Sequence, residues 1–119
     1  MKVLSHHIYE YKKGLRNLVL HTMSSSLKHE ALYKLEYNKI AYYVQKVTPE
    51  KINIFFGAED CIDVIKHFNN SSLSDFTPEQ DFILGIMLGY GRLQQCHRYL
   101  KRTGNQVRGE KKMVCDSLI

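Results

Sequence analysis

Two runs rich in β-branched and aromatic residues, "IAYYVQKV" (40–47) and "INIFFG" (52–57), flank the turn-forming "TPEK" (48–51). Side chains of this kind suit a pleated, half-buried surface, and so short a connection joins antiparallel rather than parallel strands. The chain is thereby committed to a sheet. Alternation sets Ile52, Ile54 and Phe56 on one face, which is expected to be the core face.

The rest of the chain reads as helices arranged around that hairpin. Leu4, Ile8, Tyr11, Leu15 and Leu18 recur in steps of four and three, an amphipathic stripe with Ser5 as a possible cap. Gly14 weakens its continuation, and "NLVLHTM" (17–23) reads as a strand that the stripe overruns. Ser26 is placed to cap a second helix through Leu27, Ala31, Leu32 and Leu35. A third is expected through Ile62, Ile65 and Phe68. "TPEQ" (77–80) is a strong helix start, with Thr77 as cap, Pro78 in the first turn and Gln80 completing a capping box. From it one long helix is expected over 78–102.

A chain of 119 residues forms one domain with its own core. Its 44% hydrophobic and 24% charged content fits a globular protein. Three cysteines at irregular spacing, Cys61, Cys96 and Cys115, do not form a disulfide framework and are expected to be free thiols in the cytoplasm. The N-terminal "MKVLSHHIYEYKK" lacks the apolar run of a secretory leader, and the longest mainly apolar run, "FILGIMLGYG", has ten residues where a span needs about 20. No membrane association is expected.

Net charge is +5, and it is unevenly placed. Residues 92–119 carry seven Lys and Arg against two acids, whereas 1–91 balance at ten against ten. Arg98, Lys101, Arg102, Arg108, Lys111 and Lys112 therefore form a candidate docking surface for an acidic protein, with nucleic acid as the second choice. The alternative is a solvated helix end. Residues 104–119 have no clear period and read as a basic, mobile tail beyond a single domain over 1–103.

Gly85, Gly89 and Gly91 need an explanation, since each costs about 1 kcal/mol of helix propensity. Gly89 and Gly91 start a G-x-G pattern, but Gln94 stands where a dinucleotide fingerprint has its third glycine, and no P-loop lysine follows. As helix residues, Gly85 and Gly89 share a line near Cys96, beside a stripe of Ile83, Ile86, Tyr90, Leu93, His97 and Leu100. That face suits close packing with another helix. Because Phe82 to Tyr90 is apolar on nearly every side, the extra faces are expected to be covered by a second copy, with Ile83, Gly85, Ile86, Gly89, Tyr90 and Leu93 at the contact. The alternative is a kink at Gly89 to Gly91 that opens a cleft.

"HHIYEYKKGLRNLVLHT" (6–22) and "FTPEQDFILGIMLGYGRLQQCHRYL" (76–100) resemble the two signatures of a small bacterial family described as a domain of unknown function. The resemblance spans nearly the whole chain up to about Lys101. It implies three strands with several helices, a homodimer, no assigned activity and, through family genes that lie beside a flavodoxin gene, a flavodoxin as acidic redox partner.

No catalytic, cofactor or metal site is assigned. His6 with His7, and Cys96 with His97, are adjacent and diverge by about 100° on a helix, and neither C-x-x-C nor H-x-x-x-H occurs. A metal site would have to be assembled from residues remote in sequence, such as Cys61, Cys96, His97, His21 and the His6/His7 pair. Cys61 has Glu59, Asp60 and Asp63 around it and is expected to be inert. Tyr37, Tyr42, Tyr43, Phe55 and Phe56 lack the interleaved Arg and Lys of a base-stacking platform. The expectation is an α+β domain with a small, largely antiparallel three-stranded sheet covered by helices and a long C-terminal helix, resembling a ferredoxin-like fold without its last strand. It is expected to act as a homodimeric interaction or accessory protein rather than an enzyme; the alternatives are a nucleic-acid binder and an enzyme or metal protein with a dispersed site.

Overall fold

The hairpin built on "TPEK" is present, and its second strand is the centre of the molecule. In the computed structural model, which describes residues 1–104, the order is α1 (Lys2–Lys12), β1 (Leu18–Ser24), α2 (Lys28–Tyr37), β2 (Ala41–Lys46), β3 (Lys51–Gly57), α3 (Glu59–Phe68), α4 (Pro78–Met87) and α5 (Arg92–Arg102). The strands form one antiparallel sheet in the order β1-β3-β2. Thr48 Oγ1 accepts from the backbone N–H of Glu50 and Lys51 at 3.2 and 3.0 Å, which closes the turn. The register follows, with Lys46 opposite Ile52 and Ala41 opposite Gly57.

Both faces of the sheet are cored. Ile52, Ile54 and Phe56 meet Leu4 and Ile8 of α1, and Ala31 and Leu35 of α2. On the reverse face Phe55 meets Ile62 and Ile65 of α3, Phe76, and Leu84 of α4. The strand order matches the ferredoxin-like analogy, but the layering departs from it, because α3 lies on the opposite face from α2. No strand follows α3 in the described chain, so the handedness rule for crossovers does not fix its side. Phe55 and Phe56 are fully buried, one in each core, and truncating either to alanine should cost about 3–5 kcal/mol.

Caps set most of the boundaries. Gly14, at φ +80°, ends α1: its N–H bonds Tyr11 O, and Leu15 N–H bonds Glu10 O, the pattern of a Schellman motif. Leu15 is therefore exposed rather than part of the buried stripe. Ser24, not Ser26, supplies the cap ahead of α2, by accepting from Ser26 N–H over a short 3-10 turn at Ser25–Leu27. The capping box of α4 is formed as read, with Thr77 Oγ1 accepting from Gln80 N–H and Gln80 Oε1 accepting from Thr77 N–H, both at 3.1 Å.

The long C-terminal helix is replaced by two helices of ten and eleven residues. Gly89 stands at φ +89°; its N–H bonds Ile86 O at 3.0 Å, and Tyr90 N–H bonds Gly85 O at 3.0 Å. The left-handed residue uses up the orphan carbonyls of α4 and turns the chain. Gly91 then stands at the N-cap of α5. Apart from Gly104, the expected tail lies outside the described residues.

Candidate functional site

α5 lies antiparallel against α4, which provides its principal contact with the rest of the chain. The pairing steps along both helices. Gln95 covers Gly85, Arg98 pairs with Asp81, the rings of Tyr99 and Phe82 stand 5.7 Å apart, and Tyr99 Oη donates to Glu79 Oε2 at 3.0 Å. Gln95, Arg98, Tyr99 and Arg102 thus form the side of α5 turned to α4, as a 100° step per residue requires. That side is largely polar.

The apolar residues of α5 consequently fall elsewhere. Leu93, Cys96 and Leu100 follow one another in steps of three and four, and Leu93 is 85% and Leu100 46% exposed; Cys96 is exposed as well. Ile83 and Ile86 of α4 are 39% and 37% exposed. An amphipathic helix ordinarily turns its apolar side to the core; α5 does the reverse. On this flank an apolar groove of 530 Å³ opens between the two helices, lined by Phe82, Ile83, Cys96, Tyr99 and Leu100, with Glu79 at its edge.

A second concavity, of 580 Å³, opens on the other flank. Leu84 and Leu88 supply apolar wall, and Gln95, Arg98, Lys101 and Arg102 supply polar wall. Asp81 organises the cations. Its Oδ2 accepts from Arg98 Nε at 2.7 Å, and its Oδ1 accepts from Arg98 Nη2 at 3.1 Å. Arg102 Nη1 stands 3.4 Å from Oδ1, while Arg102 Nη2 donates to Phe76 O at 3.2 Å. The hydrogen bond from Arg98 holds the Asp81 carboxyl below the usual carboxylate range against the opposing effect of burial.

Among the residues read from sequence, Arg98, Lys101 and Arg102 come together on this wall, whereas Arg108, Lys111 and Lys112 lie outside the described residues. Ile83, Ile86 and Leu93 are exposed on the apolar side, whereas Tyr90, at the turn, lines the cationic concavity instead. Gly85 and Gly89 do not share a contact face. Gly85 is buried, and a Cβ there would collide with the Gln95 side chain, so its close partner is within the chain. Gly89 has no atom within 4 Å of the Cβ position and is required for its backbone conformation. Sequence reasoning passed over Asp81 and Gln95. The spacing of Gln95, Arg98, Tyr99 and Arg102 is a helix-face signal, but it becomes legible only once α5 is separated from α4.

The other candidate chemistry is dispersed. His7 and His21 rings meet edge to face at 5.4 Å, and Glu10 lies 3.3 Å from His6, 3.6 Å from His7 and 3.4 Å from Arg16. Burial, then the charge of His7, lowers the His21 pKa. Among the described residues no three His, Cys, Asp or Glu side chains are grouped to hold a metal ion. The Cys61 thiol is pushed up by burial and by Asp60. The aromatic residues of the hairpin divide between the faces, Tyr42 and Phe56 on one and Tyr43 and Phe55 on the other. They do not form one platform.

Fold and site together define an α+β domain that carries a two-helix hairpin with one apolar and one cationic flank. The model of a family of proteins of unknown function, DUF2023, matches residues 2–102, and the chain belongs to that family. No curated protein matches it.

Proposed function

We propose that the chain is a non-catalytic accessory protein of the cytoplasm that works as a homodimer and docks an acidic redox protein such as a flavodoxin. The observation that carries the reading is the reversed amphipathicity of α5, which leaves Leu93 and Leu100 in water beside Ile83 and Ile86. A second copy suits this face. Two α5 helices laid antiparallel put Leu93 of each copy against Leu100 of the other, with Cys96 near the two-fold axis. The same alignment brings Arg92 of one copy toward Glu79 of the other at the rim of the apolar groove. Such self-complementarity, apolar at the centre and oppositely charged at the edge, is what an isologous dimer needs.

Docking rests on charge. α5 contains Arg92, Arg98, Lys101 and Arg102 and no acid, and Arg108, Lys111 and Lys112 follow it in sequence. Asp81 occupies part of Arg98 and Arg102. Lys101 has no ion pair among the described residues and is the exposed cation best placed to meet a partner.

Static light scattering at tens of micromolar protein tests the assembly: a dimer is expected for the native chain and a folded monomer for Leu93→Glu. Titration with a flavodoxin, and with mixed-sequence RNA and DNA, tests the partner. Saturable flavodoxin binding is expected at low salt, weakened as salt rises because exposed charges are screened over about 8 Å at physiological ionic strength. It should be lost when Lys101, Lys111 and Lys112 are changed together to Glu. Binding to nucleic acid alone would reverse the choice of partner.

A further inference from the structure

The side chain of Gln95 is out of place for a residue in a two-helix contact. Gln95 is 5% exposed, and among the described residues its amide has no hydrogen-bond partner. A buried amide without a partner costs free energy that a leucine at the same position would not. Gln95 lines the 580 Å³ concavity on the cationic flank, with Arg98, Lys101 and Arg102 beside it. The volume lies within the range of small-molecule sites, about 300–1,000 Å³.

From this juxtaposition we infer that the concavity is a binding site for a small organic anion, an oxyanion group joined to an apolar body. Three cations face one carboxylate, Asp81, so the wall keeps an excess of positive charge. Asp81 uses two guanidinium nitrogens of Arg98, and Arg102 is fixed by Asp81 and Phe76 O. Each guanidinium has five N–H groups, so donors remain while both side chains are already held in place. Gln95, its Oε1 turned to Gly85, adds a buried amide to the lining, and Lys101 adds an exposed positive charge. Leu84 and Leu88 form an apolar wall for the body of the ligand, and Gly85, having no side chain, lets Gln95 lie flat against α4. The oxyanion is a phosphate monoester or a carboxylate, both of which match this donor set.

The site is separate from the pairing surface, but its Arg98, Lys101 and Arg102 also belong to the proposed docking surface, so titration with a small anion in the absence of any protein partner tests the site alone. At 100° per residue, Gln94, Arg98 and Lys101 lie on one flank of α5, and Cys96 and Leu100 on the other. A monomeric Leu93→Glu chain should therefore bind the ligand as the native chain does.

The test is a titration of isotopically labelled full-length protein, followed by amide chemical shifts, with phenyl phosphate, benzoate and the uncharged benzyl alcohol as probes. Saturable shifts centred on Gly85, Gln95 and Arg98 are expected with phenyl phosphate, with benzoate, or with both. The tighter of the two identifies the oxyanion. Gln95→Leu should keep the fold, raise or preserve thermal stability, and weaken the better probe about tenfold. Lys101→Gln, on an exposed residue, should weaken it about fivefold with no effect on melting. No saturable shift with either anion would overturn the inference. So would benzyl alcohol binding as well as the anions, or Gln95→Leu and Lys101→Gln both binding like the native chain.

Discussion

At the scale of single residues, backbone conformation and local charge make the most direct predictions. Lys39 holds φ +56° at the end of α2, where its N–H bonds Glu36 O and Ile40 N–H bonds Leu35 O. This is the position at which glycine normally ends a helix, and an L-residue there costs roughly 1–2 kcal/mol. Lys39 is exposed, so Lys39→Gly removes strain without removing packing and should stabilise the fold by about 1 kcal/mol in urea denaturation. Asp81 gives a pH prediction. Its folded pKa lies below the unfolded value of about 3.9, so between the two values the unfolded state binds more protons and stability rises with pH. The contribution is therefore fully present above about pH 4 and is lost as pH falls through the folded value. Because Arg98 is well exposed, the effect is about 1 kcal/mol or less. Asp81→Asn should lower stability by that amount near neutrality and leave it nearly unchanged at the acid end, as denaturation at several pH values would show.

At the scale of elements, the glycines of the α4–α5 hairpin do different work, and substitution separates them. Gly89→Ala meets no atom but must adopt φ +89°, so it should destabilise by about 1 kcal/mol through backbone strain alone. Gly85→Ala has ordinary helical φ and would gain helix propensity, but its methyl displaces Gln95. It should be net destabilising in the native chain and neutral or favourable once Gln95 is also alanine, a coupling that a double-mutant cycle measures. The same contrast shows what the sequence could disclose. The hairpin around "TPEK", the capping box at Thr77 and the start of the α1 stripe, Leu4, Ile8 and Tyr11, are legible, because each is decided by neighbours a few residues away; Leu15 and Leu18 of that stripe fall outside the helix that Gly14 ends. Gly89 is not legible, because a glycine at a helical position serves equally as a smooth face or as a left-handed stop. What decides between them is tertiary: Leu84 and Leu88 are anchored in the core, and Gln95 fits over Gly85. Gln95 shares the helix-face spacing of Arg98, Tyr99 and Arg102, but that spacing becomes informative only when α5 is set apart from α4 and the burial of Gln95 is known.

At the scale of the whole molecule, the sheet is closed on both faces by α1 and α2 on one side and by α3 and α4 on the other. No residue of α5 belongs to either core. Leu93 and Leu100 are largely left in water within one chain, and the proposed dimer would give them a hydrophobic role by burying them between two copies. The pairing has a geometric signature at Cys96, which lies in the middle of the stripe and near the proposed axis. With Cys61 and Cys115 changed to Ser, helices packed about 8–10 Å apart should allow a short bifunctional maleimide to join the two Cys96 thiols. A cross-linked dimer in high yield is expected from the native surface, and its loss in Leu93→Glu. A chain that stays uncross-linked while light scattering shows a dimer, or one that cross-links equally well with Leu93→Glu, would contradict the proposed pairing.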